Sequence, residues 1–477
     1  MNTIVAIATA LAKSAISIIR LSGDEALQIA SKLLKPSHSC NKSFGNTLQS
    51  DTMSFMQRYD EMGQSKPLKL TPRKATLCNI YNANGDMLDK VIAIYFKAPN
   101  SFTGEDIVEI QSHGGILIAR EILNACLEHG AVLARAGEFS MRALQHDKLD
   151  LVELEATLAL INNTNKNLTK LLTRNLDGHL SQMLESIRIQ ILTLIAQIEV
   201  NIDYADEDLD PAILNHALDI LAKVIQRFEM VLDSSRHYQK LQDMKLCIIG
   251  KPNVGKSSLL NLLLMQDRAI VSEQAGTTRD TITAMIDICG NLISLTDTAG
   301  IRKSTDSIEM QGIERSFQSA RESDILLCVF DISKPMDTQD FVIMDFLLQE
   351  CRDKCVLIVL NKNDLSQQNN HDFSDFETII LNTKDKENSK PLKEKIATFL
   401  TMDIDSETLV LTNAMQSTLL ESACKNLSAA RQYLSNGILE LASYELHQSL
   451  QAIGDMTKPY NVEDMLDSMF SQFCVGK

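Results

Sequence analysis

The sequence predicts a multidomain protein of α/β and α class, with an N-terminal α+β domain, a helical bundle, and an α/β domain inserted into that bundle. Three observations lead to this prediction. The chain has 477 residues, which is more than one compact core usually holds. Between Met244 and about Leu400, apolar runs of strand length alternate with helical stretches, as in a parallel sheet covered by helices. On both sides of this region, apolar residues recur at three- and four-residue steps, which is typical of bundle helices.

The predicted N-terminal domain spans residues 1–149. The runs Val91–Phe96 and Asp106–Gln111 are expected to be strands because of their composition and alternation. The apolar run Met1–Gly23 is interrupted by a lysine and closed by an arginine, so we interpret it as a buried strand and not as a signal peptide. The polar segment Cys40–Arg73 lacks periodicity and is expected to be a long loop or insertion.

The helical domain is predicted from two segments, residues 150–240 and 403–477, with the inserted domain between them at residues 241–402. The acidic stretch Asp203–Pro211 separates two long helices of the first segment. The apolar stripes of these helices consist of Leu180, Met183, Leu184, Ile187, Ile191, Leu194, Ile195 and Ile198, then Leu214, Leu218, Leu221, Ile225 and Phe228, and in the second segment Leu419, Ala423, Leu427, Leu434, Leu446 and Leu450.

Composition narrows the function classes. The net charge is −16, which disfavours a generally basic nucleic-acid binder but leaves room for a local or partner-supplied RNA site. No apolar run reaches the roughly 18 residues that span a bilayer, so no membrane association and a cytoplasmic location are expected. The ten cysteines include no CxxC pair, and all except Cys474 are expected to be buried free thiols.

The run GKPNVGKS, Gly250–Ser257, follows one apolar strand directly and precedes a helix, which is the context that a P-loop requires. Its glycines allow backbone amides to surround a β-phosphate. Lys256 is expected to contact the β- and γ-phosphates, and Ser257 to bind Mg²⁺. The inserted domain is therefore predicted to be a Ras-like P-loop G domain.

Two further motifs, Ala275–Asp280 and Asp297–Gly300, have the order expected of nucleotide-sensing switch loops. Thr278 is the expected second Mg²⁺ ligand. In NKND, Asn361–Asp364, the acceptor-only carboxylate of Asp364 matches the two N–H groups of guanine and not adenine. The predicted GTP-binding residues are Asn253, Val254, Gly255, Lys256, Ser257, Ser258, Ser272, Glu273, Gln274, Ala275, Gly276, Thr277, Thr278, Asp297, Thr298, Ala299, Gly300, Asn361, Lys362, Asn363, Asp364, Asn382, Thr383 and Lys384.

The glutamine that usually follows the second switch motif is absent, because Ile301 occupies its place. The water-orienting group must then come from a partner, a cation or a more distant acid, and Glu309 is a candidate.

These motifs, with others along the chain, resemble the tRNA modification GTPase family called MnmE or TrmE. The resemblance covers almost the whole chain and depends on Pro99–Gly115, Gly137–Ala156, Gly250–Asn261, the AGTTRD motif and the terminal FCVGK. It implies an N-terminal domain that binds folate and dimerises, followed by a helical domain with an inserted G domain. It also implies a homodimer that forms a heterotetramer with an FAD-dependent partner called MnmG or GidA. Together they would add an aminomethyl-type group, carboxymethylaminomethyl or related, to C5 of the wobble uridine of tRNA.

The resemblance implies a potassium site at Asn253, with Ser272, Gln274 and Thr277 as further ligands. K⁺ there would neutralise phosphate charge, as an arginine finger does in other GTPases, when two G domains meet. Glu309 matches the catalytic acid of the family, which orients the attacking water through a second water.

For a tetrahydrofolate derivative, the 5,10-methylene or 5-formyl form, the resemblance implies binding by Arg20, Glu109, Lys148 and Lys477. Cys474 matches the cysteine of the terminal motif, where its thiol would act as a nucleophile or fill space.

The sequence departs from the family pattern at several places. The Gly- and Pro-rich first loop of the family is replaced by TALAKSAISI, Thr9–Ile18, which removes residues that tolerate positive φ. Asn382, Thr383 and Lys384 replace Ser-Ala-Lys, and Thr383 can supply the same backbone amide to guanine. The helical motif NxRH is replaced by TNAMQ, Thr412–Gln416. A regulatory RNA- or ribosome-associated GTPase without modification activity therefore stays open as the alternative function, whereas a degenerate scaffold conflicts with the intact GTPase motifs.

Overall fold

The structure, a computed structural model, describes residues 2–37, 68–203, 211–242, 244–264, 284–296, 316–368, 371–402, 404–405 and 407–457. The described chain forms two compact units, one with residues up to 154 and from 454 onward, and the other with Glu155–Ile453. The predicted G domain and most of the predicted helical domain fall in the second unit, whereas residues 150–154 and those from 454 onward fall in the first. The domain boundaries stay a prediction. No helix within the described ranges is long and apolar enough to cross a membrane.

The first unit contains a seven-stranded sheet in the order β3-β4-β5-β6-β2-β1-β7. All of its neighbours are antiparallel except the parallel pair β1 and β7. The sheet residues Ile19 and Ile110 form one core with Ile29 and Ile122 of two helices. The elements are β1 Ile4–Ile7, β2 Ile16–Ser22, α1 Ala26–Leu33, β3 Leu34–Pro36, β4 Thr76–Tyr81, β5 Met87–Phe96, β6 Ile107–His113, α2 Ile116–Glu128, β7 Val132–Leu133 and α3 Glu138–Gln145.

One prediction for this unit needs correction. The apolar start of the chain is two antiparallel strands, β1 and β2, because the chain turns at residues 8–15 and Ala8 N–H donates to the Ile18 carbonyl. Of the predicted loop Cys40–Arg73 the structure describes residues 68–73, where Leu70 is buried in the core and Arg73 N–H donates to the Tyr95 carbonyl. Residues 38–67 lie outside the described chain.

The second unit combines a helical bundle with a six-stranded sheet in the order β13-β12-β11-β8-β10-β9. Its neighbouring strands are parallel except the hairpin β9–β10. Helices cover both faces of the sheet, and helix α7 packs along α11 in the bundle. The elements are α4 Leu151–Asn162, α5 Lys166–Leu176, α6 His179–Asp203, α7 Pro211–Leu241, β8 Lys245–Ile249, α8 Lys256–Leu264, β9 Ala284–Ile288, β10 Asn291–Leu295, β11 Ile325–Asp331, α9 Thr338–Glu350, β12 Cys355–Asn361, β13 Glu377–Ile380, α10 Ser389–Thr398, α11 Ala414–Ser435 and α12 Leu439–Thr457.

The predicted apolar stripe of α6 is buried at every position. In α7 the buried stripe differs from the predicted one: Leu214, Leu218 and Ile225 are only half-buried, whereas Ala217 and Val224 are buried. Ala217 and Val224 thus provide buried contacts in α7. A prediction based only on the largest apolar residues overlooks them.

The described cysteines include one clear exception to the expectation of burial. Cys289 is exposed because it forms the β9–β10 turn, with φ of 55°. Burial raises the pKa of the Cys126 thiol to about 12 and that of Cys78 to about 11, so these two behave as inert core residues. Cys78, Cys126, Cys247, Cys328 and Cys351 are buried, Cys355 and Cys424 are half-buried, and Cys40 and Cys474 lie outside the described residues.

Candidate functional site: a P-loop nucleotide site and an N-terminal ion-pair site

The loop between β8 and α8 has a backbone that wraps tightly against its neighbours. Gly250 and Gly255 have φ of 152° and 109°, and Asn253 has φ of 63°. A Cβ on Gly250 would lie 2.6 Å from the Val329 carbonyl oxygen, and one on Gly255 only 2.1 Å from Asn361 Nδ2. Glycine is therefore required at both positions by conformation and by space.

Lys256 begins helix α8 and points its ammonium group back into the loop. Its Nζ donates to the carbonyl oxygens of Gly250 at 2.8 Å and of Lys251 at 2.9 Å. Burial lowers the pKa of Lys256. A half-buried cation next to a helix N-terminus is a favourable site for phosphate, because the anion compensates the partly desolvated charge.

Asn361 connects the phosphate loop to the predicted guanine site. Its side chain is buried, Nδ2 donates to the Val254 carbonyl at 2.7 Å, and Oδ1 accepts from the Thr383 N–H at 3.0 Å. The structure therefore brings together three segments that are far apart in the sequence: Val254–Lys256, the end of β12, and Asn382–Lys384. Their proximity follows from the parallel sheet, in which the carboxyl ends of β8 and β12 lie at one edge.

The rest of the NKND motif lies at the same sheet edge. Lys362, with φ of 71°, places Nζ 2.6 Å from Asp331 Oδ2 at the end of β11. Burial alone would raise the pKa of Asp331, but hydrogen bonds from Lys362 and Ser333 outweigh it and hold this pKa below its usual value. The carboxylate of Asp364 is partly exposed and has Lys384 Nζ at 3.7 Å, so it is accessible to a base. Asp331 was missed by sequence reasoning, although an acid at a strand end beside the P-loop strand is the signal that identifies it.

Several predicted residues lie outside the described chain: Ser272, Glu273, Gln274, Ala275, Gly276, Thr277, Thr278, Asp297, Thr298, Ala299, Gly300, Glu309, Cys474 and Lys477. Of the predicted Mg²⁺ ligands, only Ser257 is described, in the first turn of α8 next to Lys256. Within the described ranges no group of three or more His, Cys, Asp or Glu side chains is arranged to hold a metal ion. A magnesium ion held by a hydroxyl and by phosphate oxygens needs no acidic cluster, so the role of Ser257 stays a prediction.

The first unit contains a second polar site at the pairing of β2 with β6. Arg20 and Glu109 are register partners, and Arg20 Nε and Nη2 lie 2.9 Å and 2.8 Å from Glu109 Oε1. The guanidinium also lies over two rings, at 5.7 Å from the Phe102 centroid and 5.8 Å from that of Phe139. Phe102 is exposed, so an aromatic face, a cation and an acid are accessible together.

The loop that holds Phe102 is fixed by buried ionic contacts. Arg142 Nη1 donates to both carboxylate oxygens of Glu105 at 3.0 Å, and Arg142 Nη2 donates to Glu138. The carbonyl of Thr103, the residue after Phe102, accepts a hydrogen bond from His146 Nδ1 at 2.7 Å. Lys148 lies near this loop, with its Cε 3.3 Å from where a Cβ on Gly104 would be. The motifs Pro99–Gly115 and Gly137–Ala156 thus contact each other. Glu109 and Lys148 belong to them, and Arg20 pairs with Glu109.

Comparison with known proteins extends these observations to the whole chain. Residues 3–148 match the family model described as the GTP-binding protein TrmE N-terminus, and residues 151–474 match the MnmE helical domain model. The tRNA modification GTPase MnmE of Helicobacter acinonychis is 42% identical over 100% of both chains. The one of Aliarcobacter butzleri is 40% identical over 100% of this chain and 99% of that protein. The chain belongs to the MnmE family.

As a member of the MnmE family, the protein is a GTP hydrolase of tRNA modification. Its fold class is the predicted one, with a TrmE-type N-terminal domain, an MnmE helical domain and a P-loop G domain. Among solved structures it also matches the Era protein of Aquifex aeolicus bound to GDP·AlF₄⁻, at 25% identity over 39% of this chain and 66% of that one, with a TM-score of 0.25.

Two departures from the MnmE pattern have a structural reading. The altered first loop, Thr9–Ile18, contains no residue with positive φ, so alanine, lysine and serine fit this conformation without strain. In the altered helical motif, Asn413 is the N-cap of α11 and its Oδ1 accepts from the Gln416 N–H at 2.8 Å. Asn413 Nδ2 also donates to Glu155 of α4. Asn413 and Gln416 thus stabilise the start of α11, and Asn413 also joins α11 to α4.

Proposed function

We propose that this GTPase works with an FAD-dependent partner to add an aminomethyl-type group, carboxymethylaminomethyl or related, to C5 of the wobble uridine of tRNA. A tetrahydrofolate derivative, in the 5,10-methylene or 5-formyl form, would supply the one-carbon unit. The support comes from membership of the MnmE family, whose members are named tRNA modification GTPases, and from the N-terminal site.

The observation on which this proposal depends is the Arg20–Glu109 pair, in which the Arg20 guanidinium lies over the rings of Phe102 and Phe139. A pterin is a flat heteroaromatic ring with donors and acceptors at one edge, and the folate tail has carboxylates. The exposed ring of Phe102 suits stacking, the Glu109 carboxylate suits ring N–H donors, and Arg20 and Lys148 suit anionic groups. Lys477 and Cys474 are proposed to complete this site.

For the GTPase half, we propose a homodimer in which the G domains meet and K⁺ stimulates hydrolysis. Asn253, with its left-handed backbone in the P-loop, and Ser272, Gln274 and Thr277 are the proposed K⁺ ligands. Ser257 and Thr278 would hold Mg²⁺. Glu309 would orient the attacking water, since Ile301 occupies the usual glutamine position. A bound cation supplies positive charge that stabilises the charge developing on the phosphates.

The deciding experiment is mass spectrometry of tRNA nucleosides from cells that lack their own enzyme of this family and receive this chain with its flavoprotein. We expect the modified wobble uridine to return, and Arg20→Met to abolish it while GTP turnover persists. Leu77→Met, a substitution of an exposed apolar residue on β4, is the control and should restore modification fully.

Turnover of GTP without any modified uridine, from a folded and paired protein, would contradict the proposal and favour the regulatory GTPase. If the purified protein hydrolyses GTP equally fast in K⁺ and in Na⁺, only the proposed potassium site is contradicted, and the proposed modification activity is not. The two halves of the proposal are therefore tested separately.

A further inference from the structure

Lys251, the second residue of the P-loop motif, makes contacts that the GTPase motifs do not explain. Its side chain is only 12% exposed, and Nζ lies 2.7 Å from Asp337 Oδ2 and 2.5 Å from Asp340 Oδ2. Lysine is normally solvated because burying an ammonium group costs free energy. Two carboxylates within hydrogen-bonding distance compensate that cost and hold the side chain in one place.

The two acids that bind Lys251 are themselves held in place at the start of helix α9. Asp337 is the N-cap of α9, and with Asp340 it forms a capping box in which each side chain accepts from the backbone N–H of the other. Asp340 is buried, and within the described chain its Oδ1 has no hydrogen-bond partner. Lys251 is therefore the charge that balances a buried carboxylate at the N-terminus of this helix.

Lys251 also connects these two acids to Lys256, the predicted phosphate-binding lysine. The carbonyl of Lys251 is one of the two acceptors of Lys256 Nζ, at 2.9 Å, and the carbonyl of Gly250 is the other. Gly250 is confined on its other side by β11, since a Cβ there would lie 2.6 Å from the Val329 carbonyl oxygen. The Gly250–Lys251 peptide thus lies between strand β11 and the N-terminus of α9, and its position sets where the Lys256 ammonium points.

We propose that Lys251 is a positioning residue for GTP: held by Asp337 and Asp340, it fixes the two carbonyls that aim Lys256 into the P-loop before the nucleotide binds. The ion pair contributes to the affinity for the diphosphate group, because an ordered loop loses less conformational entropy on binding. It has no part in guanine selection or in the hydrolytic step. A loss of affinity is therefore expected for both GDP and GTP, because both carry the β-phosphate that Lys256 is expected to contact, and kcat should change little.

The test compares four variants of the full-length chain: Lys251→Met, Lys251→Arg, the double variant K251M/D340N, and Glu350→Gln. Glu350→Gln is the matched control, because it breaks the Arg321–Glu350 ion pair near the C-terminal end of the same helix, with Nε–Oε2 of 2.7 Å. The double variant avoids an unpaired buried carboxylate and keeps an acceptor for the capping box. The measurements are the Kd of fluorescent GDP and GTP analogues, the KM and kcat for GTP, and the melting temperature.

We expect Lys251→Met and the double variant to raise Kd and KM about tenfold, the scale of losing one charge-assisted hydrogen bond. We expect kcat to stay within about twofold, because no contact made only in the transition state is removed. Lys251→Arg should restore affinity, since its guanidinium can donate to both carboxylates, and Glu350→Gln should leave it unchanged.

An unchanged Kd in the folded double variant would overturn the proposal. So would an equal loss of affinity in Lys251→Arg, or a loss of kcat with unchanged KM. A fall in melting temperature without a change in Kd would reduce Lys251 to a contributor to stability alone.

Discussion

Gly255 lies where the P-loop, the guanine motif and helix α8 meet, and it has no room for a side chain. Its φ is 109°, and a Cβ would lie 2.1 Å from Asn361 Nδ2, the atom that donates to the Val254 carbonyl. A methyl group there would push Asn361 away from both of its partners. The conformation of one residue thus controls the contact between the phosphate site and the guanine site.

We expect Gly255→Ala to lower the affinity for GTP and GDP more than about tenfold and to destabilise the protein by about 1–3 kcal/mol, as strained backbone and overpacking do. Binding of a fluorescent nucleotide and urea unfolding measure the two effects. Gly437→Ala is the control: its φ is 73°, but nothing lies within 4 Å of the added Cβ. Gly437→Ala should be less stable but should keep its nucleotide affinity. Normal nucleotide binding by Gly255→Ala would contradict the prediction and show that the loop rearranges to accept the methyl group.

At the scale of elements, α5 is joined to the G domain sheet by its first residues. Asn165 is the N-cap of α5 and is buried, with Oδ1 accepting from the Asn167 N–H at 2.9 Å. Its Nδ2 lies 3.4 Å from the Leu400 carbonyl, near the end of the predicted G domain. On the neighbouring residue, the Lys166 N–H donates to Asn291 Oδ1 at 2.9 Å, at the start of β10. The helix start is therefore both a cap and a contact between two parts of the second unit.

We expect Asn165→Ala to lower the free energy of unfolding by about 1–2 kcal/mol, because it removes a cap and leaves buried polar groups unpaired. Urea unfolding of the full chain measures this change. Asn436→Ala, an exposed position after α11, is the comparison and should change stability by less than about 0.5 kcal/mol. If Asn165→Ala lowers the free energy of unfolding no more than Asn436→Ala does, the contact between the start of α5 and the predicted G domain does not stabilise the folded chain.

Elements with strong apolar patterns could be predicted from the sequence, and weaker ones could not. Strands β8 and β11 are continuous apolar runs because both faces of the sheet are covered. Strand β9 was missed because Asp287 interrupts the short apolar run Ala284–Ile288, which is an antiparallel edge strand. The turn between β1 and β2 was missed because its alanines and leucine continue the apolar run without a glycine or proline.

The site could be predicted where a motif defines it locally, and only partly where contacts are distant. Residues of the P-loop and NKND motifs have positions fixed by strand ends, so their meeting follows from the fold. The ion pairs of Lys251 could not be predicted, because their distances depend on how α9 packs beside the P-loop. Asp331 was missed although its place at the end of β11, beside the strand that ends in NKND, could have identified it. Glu309 lies outside the described residues, and its role stays a prediction.

At the scale of the molecule, the proposed sites lie in different compact units. The P-loop and guanine residues belong to Glu155–Ile453, whereas Arg20, Glu109 and Lys148 belong to the unit that precedes it in the chain. A ligand stabilises the state that binds it by an amount set by its concentration relative to Kd, about 2.7 kcal/mol at a hundred times Kd. Stabilisation should therefore begin in the unit that holds the ligand.

We expect Mg²⁺–GDP to slow amide hydrogen exchange in β8, α8 and β12, and to leave β2 and β6 unchanged. A tetrahydrofolate analogue should have the opposite pattern, because strand β2 holds Arg20 and β6 holds Glu109. Hydrogen exchange followed by mass spectrometry, with each ligand alone and then with both, measures this directly. If GDP alone protects β2 and β6 as strongly as β8, the two units are energetically coupled in the GDP state. The two sites would then not be independent, and nucleotide binding would itself change the affinity of the N-terminal site.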